Sequence, residues 1–223
     1  MATDQAHRLD EAARSLGIEL NRAQNGTLLN YIAQMQRWNR TYNLTAVRDG
    51  GQMLVQHVFD SLSVVEPMRA ALSADGRVNG TIADIGSGGG LPGVVIAVMR
   101  PEWQVHCVDA VEKKTAFVRQ MSGALHLPNL HAVHARAEAL DSLNADIVVS
   151  RAFASLADFA TLAGGHAARQ GWLLAMKGRD PQEEVQALQQ ETDWCVAHIE
   201  PLVVPELNAQ RCLVWMNRRQ GNL

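Results

Sequence analysis

Two hydrophobic spacings divide this chain. Up to about residue 70 apolar positions recur three and four residues apart, the period of a helix face. Beyond Gly76 they come as short apolar runs separated by amphipathic stretches. In the first part, Leu9, Ala12, Ala13 and Leu16 predict a helix over 4–16, stopped by Gly17. Leu28, Tyr31, Ile32 and Met35 predict a second over about 21–40, which runs into a polar segment carrying Trp38 and Tyr42. Gly50-Gly51 breaks the chain. Leu54, Val55, Val58, Leu62 and Val65 then predict a third helix that ends before Pro67.

After Gly76 strands are expected near 81–85, 103–109, 130–134, 145–150, 171–177, 194–199 and 211–217. Helices are expected near 91–99, 112–125, 155–168 and 181–191. Strands alternating with helices mark a parallel sheet. The loop 200–210, with Pro201 and Pro205, is too short for a helical crossover, so the last two strands should pair antiparallel. The expected fold is α/β: a seven-stranded, mostly parallel sheet with an antiparallel C-terminal strand at its end. Residues 1–75 form an N-terminal helical cap and 76–223 the sheet domain.

Composition narrows the class. A chain of 223 residues with 47% hydrophobic content can bury a sizeable core. No run reaches the roughly 18 apolar residues of a membrane helix, and Met1 to His7 lacks the apolar core of a signal peptide. A soluble, cytoplasmic protein without a membrane partner is expected, as a monomer. Cys107, Cys195 and Cys212 are odd in number and far apart, so neither a disulfide framework nor a metal site is expected. A net charge of −3 excludes a protein that coats nucleic acid by charge alone. Among the basic residues only Lys113, Lys114 and Lys177 are lysines; arginine suits phosphate, but arginine-rich codon usage accounts for the bias equally well.

The candidate chemistry centres on Asp84-Ile85-Gly86-Ser87-Gly88-Gly89-Gly90-Leu91-Pro92-Gly93, between a predicted strand and helix. Glycines at 86, 88 and 90 permit a tight turn and close backbone approach to a ligand. The helix beyond, with Pro92 in its first turn, should aim its N-terminal N–H groups at that ligand. Two patterns overlap here. Asp84-x-Gly86-x-Gly88-x-Gly90 suits an S-adenosylmethionine-dependent methyltransferase, and Gly88-x-Gly90-x-x-Gly93 suits a nicotinamide-dinucleotide oxidoreductase. Both classes put an acid where Asp109 ends the second strand. The turn beginning at Gly86, the late antiparallel pair and the lack of a large segment after residue 150 favour the methyltransferase.

Several further segments make the sequence similar to one family. They are Trp38-Asn39-x-x-Tyr42-Asn43-Leu44-Thr45, His57-x-x-Asp60-Ser61-Leu62, the loop with its Leu91-Pro92-Gly93 extension, Lys113-Lys114-x-x-Phe117, Arg136-Ala137-Glu138 and Ser150-Arg151-Ala152-Phe153-Ala154-Ser155-Leu156. From about 20 to 217 the chain resembles the RsmG (GidB) family of bacterial small-subunit ribosomal RNA methyltransferases. The resemblance implies a class I, Rossmann-like methyltransferase fold. It implies methyl transfer from S-adenosylmethionine to N7 of guanine at position 527 of 16S rRNA, with the small ribosomal subunit particle as partner. It further implies cofactor contacts from Asp84, Gly86, Gly88, Gly90 and Leu91, ribose contact from Asp109, an adenine frame of Ala137 and Glu138, and Arg151 at the mouth of the site. The family commonly has serine after the ribose acid, where this chain has Ala110, so a hydroxyl contact there is not expected.

The chemistry agrees. The N7 lone pair attacks a methyl without losing a proton, so positioning matters and a general base does not. Carbon-5 methylation would need a cysteine nucleophile, and none of the three cysteines has the Pro-Cys setting. Amine methylation usually follows an Asn-Pro-Pro-aromatic motif, where this chain has Ser150-Arg151-Ala152-Phe153. Ribose methylation favours a lysine-rich tetrad.

No catalytic acid or base is assigned. Arg151 and Lys177 are the positioning candidates, Arg151 against a structural ion pair and Lys177 against a turn-closing role. Arg48, Lys113, Lys114, Arg119 and Lys177 are candidates for RNA contact, against ordinary solvated faces. His57 and Asp60 should fix the helices to the sheet rather than bind metal. Trp38, Tyr42 and Phe153 are either base-stacking or packing residues. A dinucleotide oxidoreductase and a non-catalytic, ribosome-associated cofactor binder remain the alternatives.

Overall fold

The computed structural model describes residues 2–179 and 181–219 of the chain; residues 220–223 of the expected sheet domain lie outside the described residues. Seven strands follow the apolar runs: β1 (Thr81–Ile85), β2 (Gln104–Asp109), β3 (Leu130–His134), β4 (Ala145–Ser150), β5 (Ala167–Lys177), β6 (Trp194–Leu202) and β7 (Arg211–Arg218). They form one sheet in the order β3-β2-β1-β4-β5-β7-β6. All pairs among β1 to β5 are parallel, and β7 runs antiparallel to both β5 and β6. The antiparallel strand is therefore inserted one place in from the edge rather than at the end of the sheet. The edge strand is β6, which is where Pro201, lacking an N–H, is tolerated. The order reverses between β1 and β4, and ligands of such sheets bind in the crevice beyond that point.

Side-chain alternation along the strands feeds two cores. Val105, Cys107, Ile147, Val149, Leu174 and Trp215 face the N-terminal helices with α6 (Gly93–Met99) and α7 (Glu112–Ala124). Ile85, Val108, Val148, Leu173 and Val214 face α8 (Leu156–Ala163) and α9 (Gln182–Glu191). The N-terminal helices are α1 (Ala2–Ser15), α2 (Arg22–Tyr42), α3 (Gly50–Met53), a π-helical turn at Leu54–Phe59, α4 (Asp60–Leu62) and α5 (Val65–Ala74).

Several expected boundaries move. The third helix breaks at Ser63, and α5 runs through Pro67. Pro67 sits in the first turn, where an N–H has no intrahelical partner, so its absence costs nothing. Gly50-Gly51 opens α3, behind the Asp49 cap. The helix expected to reach residue 168 ends at Ala163, and β5 begins at Ala167. The intervening Gly164 packs so closely on Trp194 that a Cβ would lie 2.6 Å from the indole nitrogen.

The loop after β1 is held from below and from the cap. Gly86, Gly88 and Gly90 have φ of 72°, 58° and 91°, open to glycine at little cost. Leu91–Pro92 is cis and α6 starts at Gly93, two residues later than expected. Asp84, fully buried, takes the Gly93 amide at 2.8 Å on one carboxylate oxygen, and the other oxygen has no partner among the described residues. The first helical N–H thus serves Asp84 and not a ligand. From α2, the Tyr31 hydroxyl donates to the Gly89 carbonyl at 2.6 Å, and Trp38 packs on Phe117 with centroids 5.4 Å apart. Trp38 is therefore a packing residue between cap and sheet.

Tyr31→Phe leaves the buried Gly89 carbonyl unpaired. The expected loss is about 1–3 kcal/mol of unfolding free energy, read as a lower urea midpoint at unchanged slope; an unshifted midpoint would show that the hydroxyl anchors nothing. Burial raises the Asp84 pKa from 3.8 to about 7. The folded protein therefore keeps a proton that the unfolded chain loses across that window. Asp84→Asn keeps an acceptor for Gly93 but cannot ionise. Relative to this variant, wild type should lose stability as pH rises from about 4 to 7, by up to ~1.4 kcal/mol per pH unit, and then level off. His57, lowered by burial from 6.5 to about 4, works oppositely and cancels because both proteins carry it. Urea titrations across the range check this, and a pH-independent difference would refute it.

Candidate active site

Two adjoining cavities open at the carboxyl ends of β1 and β4, and they share Gly86 and Ala152 as a common wall. The larger, about 430 Å³, has Gly86 to Gly89 and Leu91 along one side. Opposite are Leu44, Thr45, Gln56, His57 and Asp60 from the cap, with Arg151, Lys177 and Arg211 from the sheet. The smaller, about 240 Å³, is lined by Val108, Asp109, Ala110, Ala137, Glu138, Phe153 and Leu162.

Why these residues meet follows from the strand ends. Gly86 and Ser87 give their amides to the Val108 carbonyl at 2.8 and 3.1 Å, which folds the loop back over β2. A Cβ on Gly86 would lie 2.8 Å from that of Ala152, so only glycine lets β1 and the segment after β4 approach this closely. Ser150 ties the same two strands by donating to the Ile85 carbonyl at 2.6 Å. Asp109, at the end of β2, accepts from Gly88 at 2.9 Å and from Val111 at 2.8 Å. Each carboxylate oxygen keeps a further lone pair for a hydroxyl.

The structure sorts the expected cofactor residues. Gly86, Gly88, Leu91 and Arg151 line the larger cavity; Asp109, Ala137 and Glu138 line the smaller. Asp84 and Gly90 line neither. Asp84 lies beneath the loop, and the space a Gly90 Cβ would need belongs to Val94 and Val118. These two support the loop from the core side.

Charged groups around the larger cavity are mostly engaged with one another. Asp60 accepts from Arg151 Nη1 and from Arg211 Nε, both at 2.9 Å, and so joins the cap to the ends of β4 and β7. His57 bonds Thr45 at 2.9 Å, and burial followed by the charge of Arg151 holds it neutral at pH 7. Lys177 is committed as well. Its ammonium lies 2.9 and 3.1 Å from the two carboxylate oxygens of Glu184 and donates to the Ala154 carbonyl at 2.9 Å. Glu184 also accepts from the Leu156 amide at 2.8 Å. The pair braces the segment 151–156, which favours the turn-closing role of Lys177 over RNA contact.

Of the remaining candidates, Arg48 is exposed and donates to Asn43 at 2.9 Å, Lys114 lies 3.8 Å from Asp109, and Lys113 and Arg119 are exposed on α7. None of the four lines either of these two cavities. Nor do Trp38 and Tyr42, and Phe153 stacks on Phe159 at 5.1 Å on the side of the smaller cavity. Cys107 is buried and its thiol is pushed well above the ordinary range, so it is no nucleophile. Sequence reasoning missed Arg211 and Glu184. Arg211 reaches the site only because β7 inserts beside β5, with Cys212 opposite Lys177. No helix among the described residues is long and apolar enough to cross a membrane.

The geometry has counterparts among known proteins. The family described as rRNA small subunit methyltransferase G matches residues 24–214. The Ribosomal RNA small subunit methyltransferase G of Bordetella petrii is 62% identical over 216 residues, 97% of this chain and 84% of that protein. The protein of the same name from Methylibium petroleiphilum is 50% identical over 214 residues, 96% of this chain and 95% of its own. Among solved structures, Burkholderia thailandensis 1,6-didemethyltoxoflavin-N1-methyltransferase, with bound 1,6-didemethyltoxoflavin and S-adenosylhomocysteine, matches with a TM-score of 0.57 at 12% identity, over 86% of this chain and 90% of that one. The fold is that of class I methyltransferases, and the dinucleotide oxidoreductase reading falls away. On the match across 24–214 and the identities of its relatives, this chain belongs to the rRNA small subunit methyltransferase G family.

Proposed function

We propose that this protein transfers a methyl group from S-adenosylmethionine to N7 of guanine 527 in 16S rRNA, acting on the small-subunit particle. The observation that carries the choice of atom is that, among the described residues lining the larger cavity, no side chain is ready to take a proton. Asp60 is clamped by two guanidiniums, Lys177 is held by Glu184, and His57 binds a proton only near pH 4. A ring nitrogen with a free lone pair needs none.

The residues present fit the cofactor. A Cβ on Gly88 would meet nothing within 4 Å, so the loop offers bare backbone to an incoming group. The smaller cavity joins apolar walls at Val108, Ala137, Phe153 and Leu162 to the Asp109 carboxylate, a match for an adenine ring and ribose hydroxyls. When bound, S-adenosylmethionine supplies a methyl group on a positively charged sulfur. Gly86, Gly88 and Leu91 would hold its amino-acid part, Asp109 its ribose, and Ala137 and Glu138 its adenine. Arg151 would stand at the mouth shared by cofactor and substrate, in the segment after β4. Holding the reactants in line can supply several kcal/mol of the barrier. With a net charge of −3, recognition rests on a shaped RNA surface and not on bulk attraction.

Incubation with undermethylated small-subunit particles, followed by mapping of the modified nucleotide, tests the reading. A single N7-methylguanine at 527 is expected, with no comparable rate on short unstructured RNA. Binding of both cofactor and particles without transfer would leave a non-catalytic binder, and a different nucleotide would refute the assignment. Asp109→Ala should weaken S-adenosylmethionine binding by roughly tenfold or more, as expected for lost hydrogen bonds to a charged group; equal affinity by calorimetry would remove the ribose role.

A further inference from the structure

Arg151, just past β4, and Arg211, at the start of β7, share one carboxylate. Asp60 carries −1 against their +2, so the trio keeps a net charge of +1 at the wall of the larger cavity. The other titratable groups described in the cavity lining do not supply this. Lys177 is cancelled by Glu184, and His57 is neutral at pH 7. The Asp60 side chain is 5% exposed, whereas those of Arg151 and Arg211 are 24% and 27% exposed. The carboxylate is therefore sealed in while both guanidiniums remain open. Arg211 gives Nε to Asp60 and Nη1 to the Gln210 carbonyl; Arg151 gives Nη1 to Asp60 and to the Gln56 carbonyl. Nη2 of each has no partner among the described residues. Two fixed, partly exposed arginines with spare donors make a site for a tetrahedral oxyanion.

We propose that Arg151 and Arg211, pre-set by Asp60, clamp a backbone phosphate of the RNA strand whose guanine enters the larger cavity. The inference rests on the function proposed above and assigns the RNA contact to a pair of sheet arginines held by a carboxylate of the cap. Phosphate contacts fix register and orientation and leave base choice to the cavity. A clamp anchored on Asp60 loses little side-chain entropy on binding, because the rotamers are already held. The other anion that could sit here is the carboxylate of the cofactor, and the test separates the two.

Wild type, Arg211→Gln and Arg211→Lys are compared for binding of undermethylated particles over a range of KCl, with S-adenosylhomocysteine present, and for S-adenosylmethionine affinity by calorimetry. Arg211→Lys keeps a cation for Asp60 and guards against a folding defect, which thermal melts monitor. For Arg211→Gln, particle affinity should fall about tenfold and the slope of log K against log salt should shrink by roughly one, with cofactor affinity unchanged. Arg211→Lys should retain the slope and recover part of the affinity. A merely structural role would not alter the salt slope. Weakened cofactor binding with an unchanged slope would place the cofactor carboxylate in the clamp and overturn the proposal. An unaltered slope and affinity would overturn it too. The slope is read from binding, independently of which nucleotide is methylated. If wild type modified another position, the site assignment would fail while the clamp stood.

Discussion

Burying Asp84 under the glycine loop sets the terms for the rest of the molecule. One carboxylate oxygen receives the Gly93 amide, so the loop closes and α6 starts at a fixed point above β1. A fully buried carboxyl bonded to a single amide resists ionisation, which is why burial lifts it to about 7. Gly93 must lack a side chain, because Asp84 and Cys107 occupy that space. The loop is then pinned from the opposite side by Tyr31 and laterally by Asp109 through Gly88. A stretch rich in glycine, free in isolation, is held rigid by bonds to three separate elements.

This rigidity matters because the proposed reaction asks for alignment and little else. Guanine N7 sheds no proton, so catalysis reduces to presenting a methyl group along one line. A wandering loop would forfeit that. The cap is part of the same device: Tyr31 steadies the loop, and Asp60 fixes the arginines across the cavity from it. The cap and the sheet share one apolar core running from Leu9 to Trp215.

The Asp60 trio illustrates how one charge can organise two. A buried carboxylate between guanidiniums is costly unless its lone pairs are filled. Here each oxygen has its own arginine, and the excess positive charge faces the cavity. Lys177 and Glu184 do similar work for the segment after β4, where the bonds of Lys177 favour the turn-closing alternative that the sequence left open beside RNA contact.

The linear sequence was enough for whatever depends on neighbours along the chain. Hydrophobic period located seven strands and the helices between them. Glycine spacing located the loop, and Asp109 at a strand end marked the second acid. Local turn and cap chemistry was less legible: Pro67 read as a stop although a first helical turn accepts it, and Gly164-Gly165 went unread as the true end of a helix. What the chain could not reveal by itself is any pairing made by the topology. Arg211 lies 151 positions from Asp60 and meets it only because β7 inserts between β5 and β6. Asp84 and Gly90 stand in the motif yet face the core, since their direction is set by the packing of β2, α6 and α7. Periodicity reports which side of an element is apolar; which neighbour fills that side is decided only when the whole sheet has closed.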